Sequence, residues 1–519
     1  MTELATVVVG LLPSATILFA SWLMLRRRVK ARLLGSPLWL LALDAAPIIL
    51  VWIVLTCLIA RPLLSACVVA AMAFGLARGD AAKLKASGEP LVFTDGLLGS
   101  IVIYPSLYAE FVTPVKLVCS TVAVLLLFVL LGSLEEPAWH AHWPAVVALL
   151  LVAAVWFTYP RAEVVVAFFR RRNAPPVTGR PVVDSAAIGP FAVIAAHTAT
   201  AQVEREGRRR NRAPGHSDAL PDTGLPTGPI VMLQMESFFD ARRLCLPMVP
   251  ADLLPHYDRC VAGSIRHGRL HTPAYGANTV RTEFAALTGL SEGHLGLDHF
   301  NPYAAFARRP VDSIAWRLRA AGFKTICVHP FAGTFYGRHR VMPNLGFDEF
   351  HDVAAFTGRD TTRTYVSDMT VIEEVERLLS EHGPRTFIFA ITMGNHSPWP
   401  RAQNCPALPV PQGGRFASFL SGLAETDAAL GEMASVMRRQ WKHGLLAAFG
   451  DHQPSFGPLY RHLAHIERTT EYLIWRADHA FGEHRDIQAH ELPGLILGDS
   501  AKLAAAKLSP LPHVIGRPI

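Results

Sequence analysis

The stretch PIVMLQMESF, residues 229–238, decides the reading of the C-terminal half. Its first seven residues, PIVMLQM (229–235), form a continuous apolar run that starts at a turn and stops abruptly at Glu236 and Ser237. A strand buried on both faces reads this way, because neither face has to alternate with solvent. KTICVHP (324–330), RTFIFAITM (385–393) and GLLAAFG (444–450) have the same character. Helical patterns lie between them. The segment 311–322 puts Val311, Ile314, Ala315 and Leu318 on one face and closes at Gly322, and 371–383 has the same form. Strands alternating with helices predict an α/β domain over 229–519 with a mostly parallel sheet.

In such sheets ligands bind beyond the carboxyl ends of the strands. The residues at those ends are Glu236 and Ser237 after the first run, His329 at the second, Asn395 and His396 after the third, and Asp451 and His452 after the fourth. A lone carboxylate or imidazole there is usually a satisfied surface group. Four such ends on one rim point to a site.

Glu236, Asp451 and His452 offer two hard oxygen donors and one nitrogen donor, which suits a divalent cation such as Mn²⁺ or Mg²⁺, with Zn²⁺ also compatible. A cation of this kind stabilises charge on a phosphoryl group and lowers the pKa of a hydroxyl that it holds. The segment GANTVRTEFAALTGLS (276–291) supplies a hydroxyl. Val280, Phe284 and Leu287 recur at helical spacing, so a helix is expected over about 279–288, ending at Gly289. Thr279 then stands at the helix start, where backbone N–H groups and the dipole favour an anionic phosphate. By local sequence, Thr279 is equally well read as a plain helix cap.

The N-terminal part differs in kind. Of the 519 residues, 51% are hydrophobic and only 18% charged, with a mean hydropathy of +0.27, which excludes a disordered chain and points to membrane segments. The net charge of +7 gathers beside apolar stretches, so it is read as membrane anchoring and not as nucleic-acid binding. The seven cysteines include no CxxC pair, and Cys57, Cys67 and Cys119 lie in apolar stretches, so no disulfide framework or zinc ribbon is expected. Five spans are expected within 1–160, at about 5–25, 37–60, 62–78, 114–132 and 143–159. Asp44 is the ionisable residue within a span and is read as a polar contact between helices. Residues 161–228 are expected to be a linker, Pro-, Gly- and charge-rich towards its end. Basic runs at 26–32, 78–85 and 170–172 set against the loop 133–142, which has no Lys or Arg, would leave the C-terminal half inside if five spans are counted strictly.

The ordered motifs resemble the lipoteichoic acid synthase and phosphoglycerol transferase group of the alkaline phosphatase/sulfatase superfamily. LQMESF (233–238) is similar to that group's metal-binding strand end. ANTVRTEF (277–284) resembles its T-x-x-[ST]-E-F element, HPFAGTFYGRHRVMPNLGFDEFHD (329–352) and GNHSPW (394–399) its pocket motifs, and FGDHQP (449–454) its Asp-His pair. The resemblance implies an N-terminal helical transmembrane domain of about five helices, followed by a sulfatase-like α/β domain on the outer face of the cell (inner) membrane. It implies Thr279 as nucleophile and metal ligand, with Glu236, Asp451 and His452 completing the metal site, Mn²⁺ foremost. It makes His329, Tyr336, Arg338 and His396 substrate contacts; Tyr336 stands where the group often has Trp. The implied reaction is a ping-pong transfer. Thr279 attacks the phosphorus of a phosphatidylglycerol-type lipid, diacylglycerol leaves, and a hydroxyl of a glycan or growing glycerol phosphate polymer takes the group from the threonine. Rival readings are a phosphoethanolamine transferase, a sulfatase or phosphodiesterase, and a membrane-anchored sensor without activity. The nearest C/S-x-P-x-R match, Cys245 to Val249, lacks the Arg, which argues against sulfate.

Overall fold

A computed structural model describes residues 2–97, 162–210, 227–306, 309–357, 365–399, 414–456, 467–479 and 482–498, with scattered positions between 122 and 146. The chain divides into two compact units, Met1–Asn211 with Leu511–Ile519, and Arg212–Pro510.

In the first unit the leading three expected spans are helices, Thr2–Arg28, Leu38–Ile59 and Pro62–Ser87. The second and third of these are long and apolar enough to cross a bilayer. The spans expected at 114–132 and 143–159 lie almost wholly outside the described residues. Glu135, from the loop without Lys or Arg, accepts hydrogen bonds from the backbone N–H groups of Leu63 and Leu64 at 2.9 and 2.8 Å. These are donors that the first turn of a helix cannot satisfy internally. The expected linker differs from the sequence reading. Ala162–Arg171, Pro181–Ile188 and Pro190–Arg210 are helices and belong to this unit. Tertiary partners hold these helices, while most of the Pro-, Gly- and charge-rich part of the expected linker, 211–226, lies outside the described residues.

Asp44 is the chief such partner. It is fully buried and accepts from Trp22 Nε1 at 2.9 Å, Arg26 Nη1 at 2.7 Å, and the backbone N–H groups of Phe191 and Ala192 at 2.8 and 3.0 Å. One carboxylate thus joins three helices and caps the Pro190–Arg210 helix at its positive end. The approach is close enough that a Cβ on Gly189, whose φ is +102°, would lie 2.5 Å from both Arg26 Nη1 and Asp44 Oδ2.

The second unit is built on a nine-stranded sheet. β1 is Ile230–Met235, β2 Ser264–His271, β3 Lys324–Val328, β4 Glu349–His351, β5 Thr386–Ile391, β6 Leu445–Gly450, β7 Thr469–Trp475, β8 Glu483–His484 and β9 Ile487–Gln488. The order is β4-β3-β5-β1-β6-β7-β2-β8, with β9 paired to β2. The four strands expected from the sequence stand side by side as β3-β5-β1-β6, all parallel. Their carboxyl ends therefore share one edge. β7 runs antiparallel to β6 and β2 antiparallel to β7. Every residue of β1, β5 and β6 is buried, as a sheet covered on both faces requires. Val231, Leu233 and Met235 face one core with the Arg415–Gln440 helix, while Ile230 and Met232 face another with the Val280–Thr288 and Ile314–Ala320 helices.

Removing one partner of a buried ion pair strands the other charge, at a cost of about 3–5 kcal/mol, whereas replacing both with apolar groups is often neutral. Both Asp44→Ala and the double change Arg26→Met with Asp44→Leu remove the acceptor of Trp22 Nε1 and of the Phe191 and Ala192 N–H groups, so both are expected to lower the melting temperature of the detergent-solubilised protein, and Asp44→Ala more, because it alone strands the Arg26 charge. Equal losses in the two proteins would show that the ion pair is not what joins these helices.

Candidate active site

The site forms where β1 and β6 end side by side. β1 stops at Met235, and two residues on Ser237 turns into the left-handed region at φ +54°. Asp451 and His452 follow the last residue of β6, Gly450, whose missing side chain is required: a Cβ there would lie 1.8 Å from the Phe238 carbonyl oxygen. On the next element, Asn278 at φ +67° turns the chain into the Val280–Thr288 helix and leaves Thr279 at its head. Asn tolerates this conformation better than most residues, and such backbone is concentrated at functional sites.

Ligand-type atoms of Glu236, Asp451 and His452 all lie within 4.8 Å of one another, and all three residues are buried. His452 Nε2 is 3.5 Å from Asp451 Oδ2, 3.7 Å from Glu236 Oε1 and 3.4 Å from Thr279 Oγ1. Donors sharing one cation at about 2.0–2.2 Å each stand roughly 3–4 Å apart, so this spacing fits a small divalent ion. The hydrogen bonding agrees. Asp451 Oδ1 accepts from the N–H groups of Ser237 and His452, both at 2.8 Å, while Oδ2, though buried, has no partner. Glu236 Oε1 accepts from Ser237 Oγ at 2.8 Å. Burial, then the neighbouring Asp451 carboxylate, push the Glu236 pKa up to about 8, against the opposing pull of His452. Two buried carboxylates in contact call for a positive partner. Among the described residues this is a candidate metal site with oxygen and nitrogen donors. Thr282, the other threonine of the element, donates its hydroxyl to the Asp451 carbonyl oxygen at 2.7 Å, which leaves Thr279 as the threonine that faces the donors.

The remaining expected residues extend along the same edge. His329 follows β3, is 1% exposed, and neither of its ring nitrogens has a partner. Burial, then the Arg338 guanidinium, hold its pKa well below the usual histidine range. His396 follows β5; its Nδ1 lies 2.5 Å from the Ser397 carbonyl oxygen, so Nδ1 carries the proton and Nε2 is left as the acceptor. Burial lowers its pKa too. The loop that carries it is held by Asp368, which accepts from Gly394 N at 2.8 Å and Thr426 Oγ1 at 2.6 Å. Tyr336, at φ +54°, lays its ring 5.5 Å from the Arg338 guanidinium carbon.

Arg338, expected as a substrate contact, is engaged mostly within the protein. Its Nε and Nη2 donate to the two oxygens of Glu283 at 3.0 and 2.7 Å, and Nη1 alone has no partner. Tyr303 also donates to Glu283 Oε1. The sequence reading assigned no role to Glu283, Tyr303, Ser237 or Asp368. Glu283 had a signal, standing one helical turn after Thr279; Tyr303 and Asp368 had none, because only the fold brings them in.

The raised pKa of Glu236, about 8, favours its protonated form at neutral pH in the metal-free protein. Metal binding needs the carboxylate and displaces that proton. Affinity for Mn²⁺ is therefore expected to rise with pH until about 8. Calorimetry at pH 7 in buffers of different ionisation enthalpy should report about one proton released, and Glu236→Gln should abolish the release. Release of no proton by the wild type would refute this assignment.

Half of the chain, residues 230–491, matches the sulfatase family model. The chain is 27% identical over 281 residues to a putative cyclic beta-1,2-glucan modification protein of Rhizobium meliloti (strain 1021), covering 51% of this chain and 43% of that protein. It is 34% identical over 233 residues to the capsular polysaccharide biosynthesis protein RkpI of the same organism, covering 43% and 41%. It thus spans about two-fifths of the length of these curated relatives. Among solved structures, the integral membrane lipooligosaccharide phosphoethanolamine transferase A of Neisseria meningitidis aligns over 93% of this chain and 95% of its own, with 12% identity and a TM-score of 0.50. That alignment extends the likeness of fold across the N-terminal helices as well as the sheet. With the parallel strands ending on one edge and the buried Glu-Asp-His cluster there, the chain belongs to the sulfatase family of the alkaline phosphatase/sulfatase superfamily.

Proposed function

We propose that this protein is a metal-dependent phosphoglycerol transferase anchored in the cell (inner) membrane by a multi-pass N-terminal domain, with its catalytic domain outside the cytoplasm. The observation that carries the reading is the 3.4 Å approach of Thr279 Oγ1 to His452 Nε2, at the point where Glu236 and Asp451 also converge. Glu236, Thr279, Asp451 and His452 hold one divalent cation, Mn²⁺ by preference. When bound, that cation supplies charge stabilisation to the phosphoryl oxygens and acidifies the Thr279 hydroxyl.

The donor is a phosphatidylglycerol-type lipid. The Thr279 oxygen forms a bond to phosphorus as the bond from phosphorus to the diacylglycerol oxygen breaks, and that oxygen leaves with a proton. Arg338 Nη1 and the ring nitrogens of His329 are the unpartnered groups that meet the phosphate oxygens and the glycerol hydroxyls. Tyr336 packs on the glycerol carbons. In the second half-reaction an acceptor hydroxyl bonds to phosphorus, the threonine ester breaks, and Thr279 regains its proton. His396 suits the acceptor side. Held neutral, with Nδ1 spent on the Ser397 carbonyl, it offers Nε2 to take the hydroxyl proton.

The names of the two curated relatives, one acting on a cyclic glucan and the other in polysaccharide synthesis, support a glycan hydroxyl as acceptor over a growing polymer. A phosphoethanolamine transfer is less well supported. An ammonium group seeks a carboxylate, and Glu283, the carboxylate beside the head-group residues, is already taken up by Arg338.

Incubation of the full-length protein with fluorescent phosphatidylglycerol and Mn²⁺ should release diacylglycerol, and mass spectrometry should find a glycerophosphoryl group on the Thr279 peptide. Thr279→Ala is expected to lose about 10³-fold or more of the release and all of the adduct. A wild-type protein that gives neither product ends this reading.

A further inference from the structure

Arg338 is a buried guanidinium with an unusual division of its donors. Its side chain is 2% exposed and that of Glu283 is fully buried. Nε and Nη2 are both spent on Glu283. Tyr303, itself fully buried, donates to the same carboxylate and stops it from rotating. An ion pair that serves packing alone would be expected to satisfy the whole guanidinium, because an unmet buried donor is costly. Here Nη1 is left without a partner, beside an imidazole whose two nitrogens have none either. Glu283 also sits one turn beyond Thr279 on the same helix, its N–H donating to the Thr279 carbonyl oxygen at 3.0 Å. The helix that presents the threonine hydroxyl thereby also fixes the arginine.

We propose that Glu283 is the positioning residue of the phosphate pocket. It selects Nη1 as the edge of Arg338 that meets substrate, and it offsets the arginine's charge so that the pocket takes a singly charged phosphodiester in preference to a doubly charged phosphomonoester. The inference rests on the transferase reading above. The charge arithmetic is simple. Arg338 and Glu283 sum to zero, and burial keeps His329 and His396 neutral. With the cation's charge offset by the Glu236 and Asp451 carboxylates that would hold it, this side of the pocket binds an anion through hydrogen bonds and adds no further positive charge for a second negative one. Such a pocket accepts the head group of the lipid and releases the free glycerol phosphate that would otherwise compete with it.

The test uses the full-length, Mn²⁺-loaded protein and two readouts: turnover of phosphatidylglycerol, and calorimetric binding of sn-glycerol phosphate at neutral pH, where its second ionisation, with a pKa of about 6, is largely complete. Glu283→Gln keeps the shape and removes the charge. It is expected to lower kcat about tenfold through loss of orientation, yet to bind glycerol phosphate about fivefold or more tightly. Glu283→Asp keeps the charge and loses reach. It is expected to lower kcat about tenfold and to leave glycerol phosphate affinity within about twofold of the wild type. Tighter product binding is a change that general damage to the fold would not produce. A folded Glu283→Gln protein with unchanged or weaker glycerol phosphate binding overturns the proposal. If Glu283→Gln does not fold, Glu283→Asp decides: wild-type turnover in that variant overturns the positioning role. A wild-type protein that binds glycerol phosphate but does not turn over the lipid refutes the transferase reading and leaves the binding comparison standing.

Discussion

Two carboxylates, Glu236 and Asp451, are held within 4.8 Å of each other at the ends of adjacent strands, out of water, with one oxygen of Asp451 lacking a hydrogen bond. Burial, and then the neighbouring Asp451 carboxylate, raise the cost of charge on Glu236, whose pKa is pushed up to about 8. The backbone is committed to this arrangement. Ser237 takes a left-handed turn, Gly450 gives up a side chain, and both N–H groups at the β1–β6 junction are spent on Asp451 Oδ1. Packing alone gains nothing from such a construction. It becomes favourable once a positive charge sits among the donors, and the chemistry open to Thr279 follows from that charge.

A second organising contact ties Thr279 to Arg338 through a single helix. One short helix carries Thr279 at its head, Thr282 bonded to the Asp451 carbonyl, and Glu283 bonded to Arg338. Displacement of this helix would disturb the hydroxyl, the Asp451 loop and the arginine together. A buried ion pair is weak evidence for stability but good evidence for fixed geometry when its remaining donors are aimed and left open. The first unit uses the same device for another end. Asp44 draws together Trp22, Arg26 and the start of the Pro190–Arg210 helix, so a charge within an apolar segment serves as the joint between helices.

Much of this was legible along the chain because its signals are local. A continuous apolar run with no alternation needs cover on both faces, and four such runs gave the central strands β3, β5, β1 and β6. The same rule places the residue after each run on the ligand-binding edge, so Glu236, His329, His396, Asp451 and His452 could be named from position alone. Asp44 was read as a contact between helices and proved to be one. The edge strands were harder. β2, SIRHGRLH, is polar and half-exposed, and its pairing with β7 is antiparallel and far apart in sequence. The helices within 162–210 escape a reading of neighbouring residues because partners that hold them, such as Asp44, lie elsewhere in the chain.

The sequence by itself determined the α/β class, the identity of the donor set and the threonine at a helix head, since strand burial, side-chain chemistry and helix periodicity are properties of neighbouring residues. Only the tertiary structure decided that Thr282 turns to the Asp451 carbonyl, which edge of Arg338 is free and which carboxylate holds it. Those outcomes depend on distances between residues 55 to 173 positions apart, fixed by the order in which the strands lie side by side. Sequence spacing carries no information about that order, because a crossover helix can return the chain to either side of the strand it leaves.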